Sequence, residues 1–465
     1  LNRREGLAVD QPVPGYSSPT GALYGSFQIP CDMTRLHPLK GLQVQAHERA
    51  ALLLGFAFHF CVLASYYLVR PLRDALGLEG GADKLQWLFT ATFVVMLVAV
   101  PLYGALVARL PATRFVPLVY RLVGVSMLVF GALIASYQTS VWVARVFFVW
   151  ISVYNLFIVT VFWSVLVDRF SNEQGRRLFG FIAAGGTLGT FIGPLLAASM
   201  AMSLGPLALT IAAAVLLELA VRCYRALLKR TEPRGADELG GYRRLGEENR
   251  SMGGGILAGV TLILKSRYLL GMVLFMLLHT SAATLIYFEQ GRIVAGSYAN
   301  VATRTQFFAY VDLTVSVLTL LFQLLLTAPL IRLIGVGGAL AAMPVATLIA
   351  FAAMALAPVP ASVALAQGLR RAVEFAIVRP GREVLWTVVS REEKYKSKNV
   401  IETLVYRGGD AASGWLSVGL TAMGAGFGLL AVLIVPFAGL WTWLSAWLAN
   451  RQEDLKHKDN DRSLS

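Results

Sequence analysis

Charge is scarce in this chain of 465 residues: Asp, Glu, Lys and Arg make up only 15% of it, against roughly a quarter in a soluble globular domain. A fold bathed in water on every face is therefore not expected. Cysteine is scarcer still. Cys31, Cys61 and Cys223 are odd in number, scattered and without metal-ligand spacing, so neither a disulfide framework nor a zinc site is implied. No Gly-Lys dipeptide occurs, which removes a Walker A loop and with it an ATP-driven pump; His-Glu-x-x-His and Gly-x-Ser-x-Gly are also missing. No enzyme and no cofactor are expected.

What is abundant is apolar: 56% of residues are hydrophobic and the mean hydropathy is +0.63. Runs of about 20 apolar residues, the length needed to cross a ~30 Å hydrocarbon core, recur along the whole chain. They predict twelve spans near 50–69, 86–108, 115–137, 141–167, 178–200, 206–228, 268–289, 304–327, 331–356, 359–379, 400–423 and 426–449. Unpaired backbone groups are not tolerated in lipid, and these runs are too long and too uniformly apolar for barrel strands. The expected fold class is all-α, a polytopic membrane protein.

The formal charge of +14 is read as loop charge rather than as a nucleic-acid surface. Basic residues gather at 109–114, 168–177, 222–267 and 379–398, whereas the turns near 138–140, 201–206, 357–361 and 424–427 carry no charge. That alternation places both termini in the cytoplasm. The first 32 residues mix Pro, Gly and Ser with no apolar run, and the first methionine is Met33; this stretch is expected to be disordered or irrelevant to function. The expected organisation is a segment 1–47, a six-helix bundle 48–228, a cytoplasmic linker 229–265, a second bundle 266–449 and a charged tail 450–465.

The two halves repeat at one displacement of 223 residues. Trp163 falls on Trp386, Gly185-Gly186 on Gly408-Gly409, and Arg109 on Arg332. Two parallel halves related by an axis along the membrane normal is the arrangement of major facilitator transporters, with the substrate site at the midplane. Gly104, Arg109 and Arg114 resemble a reduced form of that family's loop motif after the second span. Gly180, Gly189, Gly193 and Pro194 reproduce a Gly-x8-Gly-x3-Gly-Pro pattern found in its antiporters, although small residues also serve simply to let helices approach.

Charges inside apolar runs mark candidate sites, because each costs at least ~2.5–3.5 kcal/mol on insertion scales. Tyr66-Tyr67-Leu-Val-Arg70-Pro71-Leu-Arg73-Asp74 is expected just after the first span, and Tyr287-Phe288-Glu289-Gln290-Gly-Arg292 just after the seventh. Arginine suits bidentate binding of phosphate or carboxylate, and Tyr67 and Tyr287 suit stacking on a ring; snorkelling helix ends would explain the same residues. In the tenth span Arg370 and Glu374 share a helix face, and their pairing is expected to leave Arg371 over for an anion. Asp312 and Asp410 are candidates for coupling. His59 and His279 are expected to form interhelical hydrogen bonds.

The segment Val378-Arg379-Pro380-Gly381-Arg382-Glu383, followed by Ser390-Arg-Glu-Glu-Lys394-Tyr-Lys396-Ser-Lys398 and by Asp410 after Gly408-Gly409, resembles the ATP/ADP translocase (nucleotide transporter) family of plastids and intracellular bacteria. Leu68-Val-Arg70-Pro-Leu-Arg73-Asp74 and Phe162-Trp163 fit the same family, and the resemblance runs over roughly 48–445. It implies exchange of a nucleotide, commonly ATP for ADP, by alternating access without proton coupling. The lysines that bind substrate in that family match Arg73 and Arg382. Its glutamates fall near Ile151, which is uncharged, and Tyr287, with Glu289 two residues on. The expected protein is a divergent bacterial member in the inner membrane, a monomer exchanging a small anionic solute of nucleotide type, with Arg70, Arg73, Arg292, Arg370, Arg371 and Arg382 on the phosphates. The alternatives are a proton-coupled transporter using Glu374, Asp410 or Asp312, and a lipid-binding scaffold that transports nothing.

Overall fold

The computed structural model describes residues 44–45, 47–136, 140–231, 256–424 and 426–464, and the regular elements among them are all helical. The first half comprises α1 (Arg49–Leu76), α2 (Leu85–Arg109), α3 (Ala112–Ser136), α4 (Val141–Arg169), α5 (Asn172–Met200) and α6 (Gly205–Leu228). A short α7 (Ile256–Lys265) precedes the second half, which holds α8 (Arg267–Ser297), α9 (Val301–Leu325), α10 (Thr327–Leu356), α11 (Pro360–Val373), α12 (Arg379–Val384), α13 (Arg391–Asn399), α14 (Tyr406–Ala422) and α15 (Phe427–Leu464).

Ten of these helices are long and apolar enough to cross a membrane. The tenth and eleventh expected spans are absent from that set for a local reason. A π-helical turn, Glu374–Val378, joins α11 to α12, and another, Val400–Val405, joins α13 to α14. The backbone stays helical through both turns, so these two interrupted rods complete the twelve. Leu102, Trp142, Leu324 and Val432 stand exposed on outward faces, where lipid rather than water satisfies them. The chain is a multi-pass membrane protein.

Several boundaries differ from expectation. α1 and α8 run on past their expected ends, so Tyr66–Asp74 and Tyr287–Arg292 lie within helices and not in connections after them. A long apolar run marks the part of a helix that lipid touches, not the part that protein buries. α15 continues through the expected charged tail as far as Leu464. α7 occupies the end of the expected linker and lies on α13: a Cβ on Gly259 would come 2.7 Å from the Lys396 carbonyl oxygen. The expectations for residues 1–43, 137–139 and 232–255 lie outside the described residues. In α10 the chain turns at Gly335 (φ 66°), a left-handed conformation that glycine adopts without a Cβ clash.

The repeat is built into the packing. Trp163 and Trp386 are both buried. A Cβ on Gly186 would meet the His59 ring of α1 at 2.3 Å, and one on the equivalent Gly409 would meet Thr280 of α8 at 2.4 Å. The first helix of each half is thus gripped by the same glycine of its fifth helix. The start of α1 is tied to the start of α5 by Glu48, whose carboxylate accepts from Arg177 Nη2 at 2.9 Å and from Gln174 Nε2 at 3.0 Å.

The halves are joined toward the end of the bundle that carries residues 77–85 and 298–300. There Arg304 Nη1 donates to Glu79 at 3.0 Å, Gln306 Nε2 to the Ala198 carbonyl at 3.1 Å, and Trp415 Nε1 to Thr90 Oγ1 at 3.0 Å. Trp87 and Trp415 meet edge to face, 4.8 Å between centroids. The connections 110–111, 170–171 and 388–390, which lie within the basic stretches 109–114, 168–177 and 379–398, lie at the other end.

Candidate functional site

α11 carries its polar residues as a stripe. Gln367, Arg370, Arg371 and Glu374 fall at i, i+3, i+4 and i+7, the spacing of one helix face, and the first three are buried. The two arginines turn to different neighbours. Arg371 Nη1 donates to Asp312 Oδ1 of α9 at 2.7 Å. The same oxygen accepts from Arg70 Nη1 of α1 at 3.0 Å, a bond between the two halves. Asp312 is 2% exposed, and its second oxygen, Oδ2, has no hydrogen-bond partner. The Arg70 guanidinium also lies over the Tyr67 ring, 5.6 Å from its centroid.

Arg370 is differently placed. Its Nη1 stands 3.8 Å from Glu374 Oε2, a loose contact, while the other Glu374 oxygen lies 3.2 Å from His279 Nε2 of α8. Arg370 is 5% exposed, yet its Nε and Nη1 make no hydrogen bond. The expectation that Arg371 is left over is therefore reversed: Arg371 has a close carboxylate, and Arg370 keeps unused donors. His59 takes the interhelical place expected of it, its Nδ1 3.1 Å from the Ile182 carbonyl and its ring stacked on Phe162, whereas His279 lies close to Glu374 but makes no hydrogen bond from either ring nitrogen.

The remaining candidates form satellites. Arg73 Nε donates to its neighbour Asp74 at 2.9 Å, and Tyr287 OH donates to the same carboxylate at 2.9 Å, so these two residues are joined through Asp74. Tyr287 also packs on Phe89, 5.4 Å between centroids. Glu289 and Arg292 pair with each other at 3.0 Å, and Arg292 reaches Thr421 at 3.1 Å. That places them in a separate cluster, away from Asp312. Asp410 accepts from Thr284 at 3.2 Å and from Arg407 at 3.4 Å.

Arg382, in α12, is not drawn into the Asp312 cluster. It lines a small cavity of about 10 Å³ with Met272, Met276, Trp386 and Glu402, room for about one water. Its Nε has no partner, and its Nη1 has only the Met276 sulfur at 3.9 Å. The adjacent Glu383 does not brace it, because Lys398 Nζ takes that carboxylate at 2.7 Å.

Three arginines, the buried Arg370 and Arg371 and the partly buried Arg70, thus face two carboxylates, Asp312 and Glu374. One positive charge is in excess at the seam of the halves. Such a place favours an anion with several oxygens. Among the described residues no group of His, Cys, Asp or Glu is arranged to hold a metal. The sequence reading underrated Asp312, whose two arginine partners are far off in the chain, and missed the π turns and the Lys398–Glu383 pair. The polar stripe of α11 was the available signal.

No protein-family model and no curated protein sequence matches this chain. Solved structures do. An auto-inhibited POT family peptide transporter superposes with a TM-score of 0.60 at 17% identity, over 86% of this chain and 97% of its own. The nucleoside transporter NupG gives 0.55 at 16% identity, over 87% and 98%. A bacterial homologue of the human lysosomal transporter Spinster, inward-facing and unoccupied, gives 0.51 at 13% identity, over 88% and 94%. At such identities the likeness is one of fold. The chain has the major facilitator fold.

Proposed function

We propose that the protein is a secondary transporter working by alternating access, and that it exchanges nucleotides or a related organic phosphate. The observation that carries this reading is Arg370: a guanidinium 5% exposed, with two N–H-bearing nitrogens unpartnered, beside a site with one surplus positive charge. Holding such donors dry costs energy unless a ligand uses them. A phosphate entering there meets Arg370 first. It then competes with Asp312 for Arg371 and Arg70, which loosens a bond between the halves. Tyr67 lies beside Arg70 to receive a ring, and Arg382 offers a second unpartnered donor on the same rod. Arg73 and Tyr287, held by Asp74, frame the site on the side of the joined ends.

The resemblance of residues 378–410 to the ATP/ADP translocases supports the nucleotide, and a nucleoside transporter of the same fold supports the base and ribose. The positive-inside pattern supports an inner-membrane location with the basic connections in the cytoplasm. One observation favours a second reading, proton-coupled transport: Glu374 stands 3.2 Å from His279, a pair able to pass a proton.

Purified protein in liposomes loaded with ADP should take up labelled ATP, more slowly without internal nucleotide and equally well with an uncoupler. Uptake that collapses with the uncoupler would transfer the site to the second reading. No uptake of any nucleotide or sugar phosphate would overturn the first.

A further inference from the structure

On the outer face of the first half, away from the seam, α3 and α6 flank an open groove of about 520 Å³. Its level is fixed by Tyr224, whose hydroxyl donates to the Ala112 carbonyl at 3.0 Å and pins the end of α6 to the start of α3. Arg114 and Arg225 line the groove near that level. Both are exposed, and among the described residues neither side chain makes an ion pair or hydrogen bond. Arg121 lies about 10 Å further along α3, at 1.5 Å per residue. It donates from Nε and Nη2 to Glu218 at 2.9 and 3.0 Å. Arg222 Nε stands 3.6 Å from the same carboxylate. Between and beyond the cations the groove is apolar, with Leu118, Leu122 and Val125 all more than half exposed.

Along the groove the unpaired Arg114 and Arg225 lie at the helix ends, the Arg121–Glu218 pair lies about 10 Å in, and Leu122 and Val125 continue toward the middle of the membrane. Three arginines line the groove, and its one ion pair among the described residues takes up Arg121 through Glu218, which Arg222 shares. Guanidinium groups at the level of the headgroups suit phosphate oxygens, and an exposed row of aliphatic side chains below them suits an acyl chain. A zwitterionic lipid leaves part of this positive charge unmatched; a net-negative one does not. We infer that this groove binds an anionic phospholipid, its phosphate at Arg114 and Arg225 and one acyl chain along Leu118, Leu122 and Val125. The site lies outside the solute pathway, and its occupant is a fixed companion of the first half.

The test uses the full chain in detergent, titrated with phosphatidylglycerol or phosphatidylcholine and followed by native mass spectrometry and thermal melting. Phosphatidylglycerol should bind roughly tenfold more tightly and raise the melting temperature. Arg114→Gln with Arg225→Gln should make the two lipids equivalent. Arg451→Gln, an exposed cation elsewhere, should leave the difference intact. Leu122→Trp fills the groove without removing charge and should weaken both lipids. The inference fails if the two lipids bind the wild type equally, if the double variant keeps the preference, or if Arg451→Gln abolishes it as well. It also fails if Leu122→Trp changes nothing, or if inorganic phosphate alone protects as well as the lipid.

Discussion

Arg370 and Arg371 are adjacent in the chain and differ in what removing a charge near them should do. Asp312 is the close partner of two arginines, the partly buried Arg70 at 3.0 Å and the buried Arg371 at 2.7 Å. Asp312→Asn leaves both cations without their carboxylate, the buried Arg371 among them, which typically costs about 3–5 kcal/mol. The expected result is a sharp fall in melting temperature and in recovered folded protein, with Arg371→Gln milder because Arg70 still answers the carboxylate. Arg370→Gln should behave in the opposite way. Its contact with Glu374 is a loose 3.8 Å, so melting of the unliganded protein should move little. Nucleotide binding should weaken by about 1.5–3 kcal/mol, the loss expected for a charged hydrogen bond. Isothermal titration and thermal melting of the two variants side by side check this. A destabilised Arg370→Gln that binds normally would make Arg370 a brace. Arg382→Gln belongs with Arg370→Gln, since Lys398 and not Arg382 holds Glu383. None of these distinctions was legible in the chain alone. Sequence shows that a charge is buried, from the apolar residues around it, but its partner is chosen by tertiary packing.

At the scale of the element, α5 is the clearest case of a pattern with a mechanical meaning. Cβ atoms on Gly185, Gly189 and Gly193 would lie 2.3 Å from Phe56 O, 2.7 Å from Phe60 O and 2.8 Å from Tyr67 Cβ, all on α1. Helix backbones meet here with no room for a methyl group. Close approach accounts for Gly189 and Gly193, while Gly180, the first member of the antiporter-like pattern, has nothing near it. The pattern therefore reports packing of α5 on α1, a helix that carries Tyr67, Arg70 and Arg73. Gly189→Ala should already cost about 1–3 kcal/mol, the range for overpacking. Gly189→Leu should abolish folded protein in size-exclusion chromatography, whereas Gly180→Ala should be neutral. A normally folded Gly189→Leu would mean that α5 and α1 stand further apart than described here. Helix number and the glycine contacts were readable because apolar length and small-residue spacing are local properties. The π turns at Glu374–Val378 and Val400–Val405 were not, because a one-residue bulge leaves composition unchanged. Such turns are frequent at functional sites, and the first of them begins at Glu374.

For the whole molecule, the repeat supplied the architecture: equal displacement of Trp163, Gly185 and Gly186 onto Trp386, Gly408 and Gly409 requires two like bundles. It could not supply the difference between them. Of the residues in the central cluster, Asp312, Arg370, Arg371 and Glu374 come from the second half, and only Arg70 from the first. Charge sits on one side of the seam and one arginine reaches across it. Alternating access requires that the joined end of the seam open and close as the halves rock. Gln86 and Gly414 lie across that end, on α2 and α14. A Cβ built on Gly414 falls 3.3 Å from the Cβ of Gln86, close to the ~3.5–4.5 Å of a disulfide. With the three native cysteines replaced by serine, Gln86→Cys with Gly414→Cys should cross-link on mild oxidation. The cross-linked protein should still bind nucleotide from the side of the basic connections. It should nevertheless fail to exchange it, and a reductant should restore exchange. Single variants under the same oxidant control for damage elsewhere. Exchange at an undiminished rate through a quantitatively cross-linked sample would show that this end stays shut throughout the cycle, and that the solute passes by some route other than the opening of the two halves.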